Sequence, residues 1–375
     1  MAVTREYPII NGHGHILPTQ HQIPESIRRA GYFDITGHKV GDFMVQPFIK
    51  WKRPISHQTF FLEDYLDWAE ENGIRHTVLI TLSQMYCNNV RSKSAALDIM
   101  KFQNDFHQSL QSGWPIRLSP GFVSLPRFLD ETLFEIQTRY AAGMQFLCLP
   151  THYKRTDGMY VSCTDENCQK IFALANELNL PVQIHPYDYE EIFKLADIDT
   201  NWSGHKAPMP SLTAHFYERL ITQGLHEKYP NVRFYLAHGN SVGYATIGRQ
   251  HQAWLARPDL RNADSQSPLD SLSAPNIFCD TIVHDPDLIW LLKRKIGTKN
   301  IIHGMDTPYP LGDGIDYLGD GSYPGRTLDL AENFGYITPE EKRAILFDNM
   351  FTWLYGTTGE KAKRGTQMKE LVLSD

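Results

Sequence analysis

Tyr7-Pro8-Ile9-Ile10-Asn11-Gly12-His13-Gly14-His15 is a short apolar run that ends in two histidines separated by one glycine. Read as a β-strand, it alternates its side chains between two faces, so His13 and His15 share one face and Gly14 takes the other. Two imidazoles side by side at the end of a first strand supply half of a metal site. Such a pair alone is also common on solvated surface. What decides its meaning is what the rest of the chain places at equivalent positions.

Working outward, seven further apolar or β-branched runs follow, near 76–82, 116–123, 144–149, 181–185, 232–237, 277–281 and 300–304. Helical patterns lie between them near 62–72, 93–112, 130–142, 165–179, 211–228, 243–256 and 285–296, with another after the last strand near 325–334. Strand then helix, eight times over, predicts an α/β fold of the (β/α)8 TIM-barrel type. A doubly wound open sheet is the rival, but no Gly-x-Gly-x-x-Gly follows any strand. Residues 1–356 read as one barrel domain with insertions near 18–60, 186–210 and 258–275, taken as loops over the catalytic face. Terminal helices over 338–355 open at Thr338-Pro339-Glu340-Glu341, where Thr338 can cap and Pro339 takes the first helical position. Residues 357–375 read as a polar tail, either loosely held or a helix that contacts another subunit.

The 375 residues carry a formal net charge of -7 without long charged blocks, which argues against nucleic acid as a partner. The basic clusters at Lys50-Trp51-Lys52-Arg53 and Lys361-Ala362-Lys363-Arg364 are short and read as solvated loop. Five cysteines, an odd number without framework spacing, fit free thiols in a reducing compartment. No apolar stretch reaches bilayer length and no leader pattern opens the chain, so the expectation is a cytoplasmic protein without a membrane partner.

Active sites of such barrels gather at the carboxyl ends of the strands. Strand one ends in His13 and His15, strand five in Ile184-His185-Pro186, strand six in Ala237-His238-Gly239, and strand eight in Ile302-His303-Gly304-Met305-Asp306. His13, His15, His185 and Asp306 are read as ligands of one ion, zinc first and manganese or iron after it, with a water in the open position. His238 is then the neighbouring acid/base. Strand four, Met144-Gln145-Phe146-Leu147-Cys148-Leu149, offers no lysine or glutamate to bridge two metals, and Lys154 lies beyond it, so a mononuclear site is expected. His303 is expected to pack inside the barrel wall, His284 to cap or line the loop after strand seven, and His215 and His251 to sit on helices.

With these residues in place the chain resembles the amidohydrolase superfamily, in its decarboxylase branch (the amidohydrolase 2 group), and within it the aminocarboxymuconate semialdehyde decarboxylase family. The resemblance is carried by Asn11-Gly12-His13-Gly14-His15-Ile16-Leu17-Pro18, by Pro181 through Asp188, and by Ala237-His238-Gly239 with Ile247-Gly248-Arg249 and Arg257-Pro258-Asp259-Leu260. Val283-His284-Asp285-Pro286, Gly304 through Gly312 and the closing Leu354-Tyr355-Gly356 complete it. It implies zinc on His13, His15, His185 and Asp306, His238 working on a metal-bound water, and a homodimer. It also implies that Arg257 reaches a substrate carboxylate from the neighbouring subunit, a task suited to the bidentate guanidinium. For the family's second substrate arginine the candidates are Arg53 and Lys50. Asn11 stands where the family usually carries Asp, and Gly239-Asn240-Ser241 replaces a glycine run.

The implied reaction is non-oxidative decarboxylation of a conjugated or aromatic carboxylic acid. Either His238 activates the water for addition to a substrate double bond, or Asp306 passes a proton to the carbon bearing the carboxylate. The alternative reading is hydrolysis of a lactone, amide or related carbonyl at the same centre. A binding barrel with a degraded site would carry no metal.

Overall fold

Eight short parallel strands close on themselves in the computed structural model of the chain. It describes residues 6–29, 34–36, 43–46, 51–54, 61–88, 90–186, 206–261, 265–309, 311–314 and 321–374; for 34–36, 43–46, 51–54, Gln84 and Leu260 it describes the backbone alone. The strands are Ile9–Gly14, Ile74–Leu79, the pair Leu118–Pro120 and Phe122–Val123, Leu147–Pro150, Val182–His185, Phe234–Leu236, Ile277–Asp280 and Ile301–Ile302. Every neighbouring pair is parallel. The third strand, split around Gly121, joins the second strand by its first half and the fourth by its second. The circle closes between the first and eighth strands: Gly12 N–H donates to His303 O (2.7 Å), and His15 N–H donates to Thr307 O (2.8 Å). All eight expected strands are present, and the fold is the (β/α)8 barrel.

The period of two in the strands divides the core. Leu147, Leu149, Val182, Ile184, Phe234 and Leu236 pack with helix residues such as Phe172, Phe216 and Leu292. The intervening Cys148 and Tyr235 join Val78, Phe278, Ile302, Met350 and Trp353 inside the barrel. Trp353, fully buried on the terminal helix Asn349–Tyr355, meets Phe146 and Tyr235 edge-on at 5.0 Å each. It plugs the end away from the strands' carboxyl termini, which leaves that other end open as the mouth.

Local chemistry sets the helix starts. Ser92 and Asp165 accept from the exposed amides of Ala95 and Cys168, and Asp285 caps Pro286–Ile296 through Asp287 N–H (2.8 Å). Thr338 caps Pro339–Arg343, as the sequence predicts, and Glu341 returns the bond to make a reciprocal capping pair.

The insertions hold more structure than loops. Within 18–60 lie the helix Glu25–Arg29 and an antiparallel sheet of Asp34–Thr36, Phe43–Gln46 and Trp51–Pro54. Their Gly and Pro content reads as loop, whereas runs of three or four β-forming residues suffice once neighbouring strands satisfy their backbone groups. Most of the 186–210 insertion, residues 187–205, lies outside the described residues; Lys206 precedes the helix Pro208–Thr222. The 258–275 segment contains single turns at Pro258–Leu260 and Asp270–Ser273. The stretch beyond 356 forms the helix Gly359–Ser374, which buries Val372 and anchors Lys361 Nζ on the carbonyls of Leu178 and Asn179 (2.8 Å each). No described helix is long and apolar enough to cross a membrane.

Candidate active site

Three strands bring three imidazoles and a carboxylate to one point at the barrel mouth. One ring nitrogen from each of His13, His15 and His185 lies within 4.8 Å of the other two. Asp306 Oδ1 stands 3.1 Å from His15 Nε2 and 3.7 Å from His13 Nε2. Tetrahedral zinc, with bonds of about 2.0–2.2 Å, separates its ligand atoms by about 3.4 Å, and these two distances bracket that value.

The other ring nitrogens are held from behind. His13 Nδ1 meets Asp280 Oδ2 (3.0 Å), His15 Nδ1 meets Ile80 O (2.9 Å), and His185 Nδ1 meets Pro186 O (2.7 Å). Each acceptor fixes the Nδ1–H tautomer and turns the Nε2 lone pair toward the centre. His13 Nε2 and His185 Nε2 are buried there without a hydrogen-bond partner. His15 Nε2 and Asp306 Oδ1 then present two lone pairs to each other at 3.1 Å, an arrangement that calls for a cation between them. Burial lowers the pKa of His15 and, with neighbouring imidazoles adding to it, holds that of His185 well below the ordinary histidine value, so protonation is not the favoured answer. Burial would raise Asp306, but the close approach of His15, with His13 and His238 around it, outweighs burial and holds the carboxyl well below the usual range. Neutral imidazoles beside an ionised carboxylate are the form a divalent metal takes up, so the residues fit such an ion.

His238 stands beside this set, its ring 5.2 Å from that of His185 and 5.7 Å from that of His13. Burial lowers its pKa to about 4, against the pull of Asp306 and Asp280. Strand four presents Cys148 to the interior, where burial pushes its thiol up to about 12, and Lys154 lies over the Tyr160 ring. Among the described residues no second metal-binding group of three such side chains exists.

Asp280, fully buried at the end of strand seven, is the residue sequence reasoning passed over. Besides His13, its carboxylate accepts the backbone N–H of His238 (3.1 Å), Gly239 (2.7 Å) and Ile282 (3.2 Å). It therefore orients His13 and the loop carrying His238 together. Its strand-end position was the available signal. Gly304 permits this approach, since a Cβ there would stand 2.8 Å from Asp280 Cβ and 3.0 Å from His13 Cβ. Among the described residues six non-glycine residues have positive φ, and four of them, His238, Asn240, His284 and Asp306, lie in the loops after strands six to eight. Backbone strain is thus concentrated at the mouth.

A cavity of about 410 Å³ opens over the centre. His15, His185, His238 and Asp306 face it, Leu82, Met209, Val242 and Leu288 contribute apolar wall, and Lys206 and His284 also line it. His303 is buried in the wall with Nδ1 against Thr281 Oγ1 (3.1 Å), as expected. Arg257 is not part of this chain's own cavity: it ends the helix Ile247–Ala256, 59% exposed, in a two-point pair with Asp259 (2.9 and 2.8 Å). Lys50 and the side chain of Arg53 lie outside the described residues. His215 stacks on His152 and His251 on Trp254, both away from the metal set.

The family model described as amidohydrolase matches residues 109–349. The chain belongs to this amidohydrolase family. Over 333 residues, 88% of each chain, it is 24% identical to 2-amino-3-carboxymuconate-6-semialdehyde decarboxylase of Dictyostelium discoideum. Its fold matches 2,6-dihydroxybenzoate decarboxylase from Rhizobium with a TM-score of 0.72 at 15% identity, covering 93% of this chain and 98% of that one. It also matches 5-carboxyvanillate decarboxylase from Novosphingobium aromaticivorans, complexed with manganese and a nitrobenzoic acid, with a TM-score of 0.72 at 19% identity, covering 93% and 96%. At these identities the two structures bear on the amidohydrolase fold alone.

Proposed function

We propose that this amidohydrolase is a mononuclear metal-dependent carboxy-lyase that removes carbon dioxide without oxidation from a conjugated or aromatic carboxylic acid. The observation that carries the reading is the convergence of His13, His15 and His185 with Asp306, whose Oδ1 stands 3.1 Å from His15 Nε2, with His238 beside them at the floor of a largely apolar cavity. The names of the three relatives above, decarboxylases of unsaturated or aromatic acids, support the same reading. His13, His15, His185 and Asp306 would hold the ion, zinc or manganese; bound there, it supplies the positive charge that holds and polarises the substrate's carboxylate region.

The chain's own groups do the rest. The apolar wall accepts the flat skeleton and excludes water, so the carboxylate can be turned where its C–C bond overlaps the π system. When that bond breaks, its electron pair stays on the carbon, carbon dioxide leaves, and the carbon takes a proton. His238 is the group placed to accept and return a proton; Asp306 offers the second path. Lys206 in the same wall suits an anionic or acceptor substituent of the substrate. In a homodimer the exposed Arg257 would reach the neighbouring cavity in trans. Five free, buried thiols are in keeping with a reducing cytoplasm.

The test is carbon dioxide release against a panel of hydroxy- and amino-substituted unsaturated acids, using protein loaded with zinc or with manganese. Release should require the metal, and His238→Ala should keep the ion while losing at least about 100-fold in turnover. Lactone or amide cleavage with no carbon dioxide from any acid would overturn the reading in favour of a hydrolase.

A further inference from the structure

Asn11 lies two residues before the first metal ligand and is completely buried. Its carboxamide has two donor and two acceptor positions, and the structure fills all four. Oδ1 accepts from the backbone N–H of His13 (3.0 Å) and of Met305 (3.1 Å). Nδ2 donates to Thr307 Oγ1 (2.7 Å) and to Tyr65 OH (3.1 Å). Tyr65 OH in turn pairs with Thr77 Oγ1 on the second strand (2.9 Å).

The placement matters more than the number of bonds. Met305 and Thr307 flank Asp306, so one side chain grips the residue that carries a strand-one ligand and both neighbours of the strand-eight ligand. This is also where the barrel closes, through Gly12 to His303 and His15 to Thr307. Asp306 itself is in a positive-φ conformation (51°), which aspartate tolerates better than most L-residues but still at some cost. The Asn11 bonds to both of its neighbours help hold that turn in place. Asn11 also accounts for part of the crowding that keeps position 14 a glycine, since a Cβ there would stand 3.1 Å from Asn11 Nδ2 and 2.7 Å from Thr77 Cγ2.

We propose that Asn11 is a positioning residue that sets metal affinity by locking His13 and Asp306 into register across the closing seam of the barrel. The inference rests on the metal reading above, and it links metal loading to seam closure in both directions. Removing the clamp weakens metal binding, and removing the metal loosens the seam. An aspartate at position 11 would keep the acceptor side and could receive the Thr307 and Tyr65 hydroxyl protons on the other oxygen. An apolar residue would leave two backbone amides and two hydroxyls without their partner.

The experiment is zinc and manganese affinity by competition with a chromogenic chelator, for the full chain and for Asn11→Ala, Asn11→Asp and Thr307→Val. Hydrogen exchange of the Gly12 and His15 amides is followed with and without the ion. Asn11→Ala should lose 10- to 100-fold in metal affinity, the range seen when groups supporting a ligand are removed. Asn11→Asp should stay within a few fold of the parent, and chelation of the parent should speed exchange at Gly12 and His15. Should Asn11→Ala not fold, Thr307→Val removes one link alone and should still lower affinity several-fold. Parent-like affinity in a folded Asn11→Ala, or in Thr307→Val, with the parent binding metal normally, would overturn the proposal. A parent that binds no metal would instead overturn the metal reading beneath it.

Discussion

At the scale of single residues, the centre depends on acceptors that face away from the metal. Asp280 is placed to fix the His13 tautomer and the two residues at the turn after strand six with one carboxylate. Asp280→Asn substitutes an NH₂ for one oxygen, so a donor would confront either His13 Nδ1–H or the backbone amides. Metal affinity should fall about 10- to 100-fold, read by chelator competition, and the buried donors left facing each other should lower global stability by about 1–3 kcal/mol. Unchanged affinity would mean that His13 needs no carboxylate behind it. The residues that converge at the mouth were legible from the sequence because strand-end position and residue type are local properties. Asp280 has the same local signature, but strand ends also place aspartates for capping and turns, and its partners His13 and His238 lie 267 and 42 residues away.

At the scale of elements, the strands and helices followed from periodicity, and the insertions did not. Alternation along Val182–His185 or Phe234–Leu236 records burial of one face on helices and the other on the barrel interior, so it survives in the sequence. The strands of the small sheet inside 18–60, Asp34–Thr36, Phe43–Gln46 and Trp51–Pro54, are no shorter, but their Asp, Gln, Lys, Arg and Pro residues leave no sustained apolar run for the sequence to show. The helix Lys93–Gly113 carries a testable consequence of its packing on the barrel wall. Its His107 is fully buried, with Nδ1–H donating to Gly121 O (2.6 Å) and Nε2 accepting from the Gln103 amide (2.7 Å). The neutral ring satisfies both partners, and burial lowers its pKa to about 4. A depressed folded-state pKa gives stability that is present above the unfolded value of about 6.5 and is lost as pH falls toward 4. The contribution is up to about 3 kcal/mol. Urea unfolding between pH 7 and pH 4 should show this slope, and His107→Gln should reduce it by close to one proton; an unaltered slope would assign the acid sensitivity to other groups.

At the scale of the whole molecule, the cavity of one chain holds the metal set and Lys206 but not Arg257. If Arg257 serves a neighbour, purified heterodimers of Arg257→Ala with His238→Ala should recover about half of parental turnover per dimer, from their one intact site of two, while each homodimer stays nearly inactive. No recovery in verified heterodimers would place the action of Arg257 within its own subunit. The amino-acid sequence by itself determined the barrel, its strand ends and the types of ligand they carry, because alternation and turn chemistry act within a few residues. Tertiary structure alone decided which acceptor stands behind each imidazole, that Asn11 spans the closing seam, and that Arg257 lies outside its own chain's cavity. Those facts depend on joining residues hundreds of positions apart, and only closure of the barrel brings them within hydrogen-bond reach.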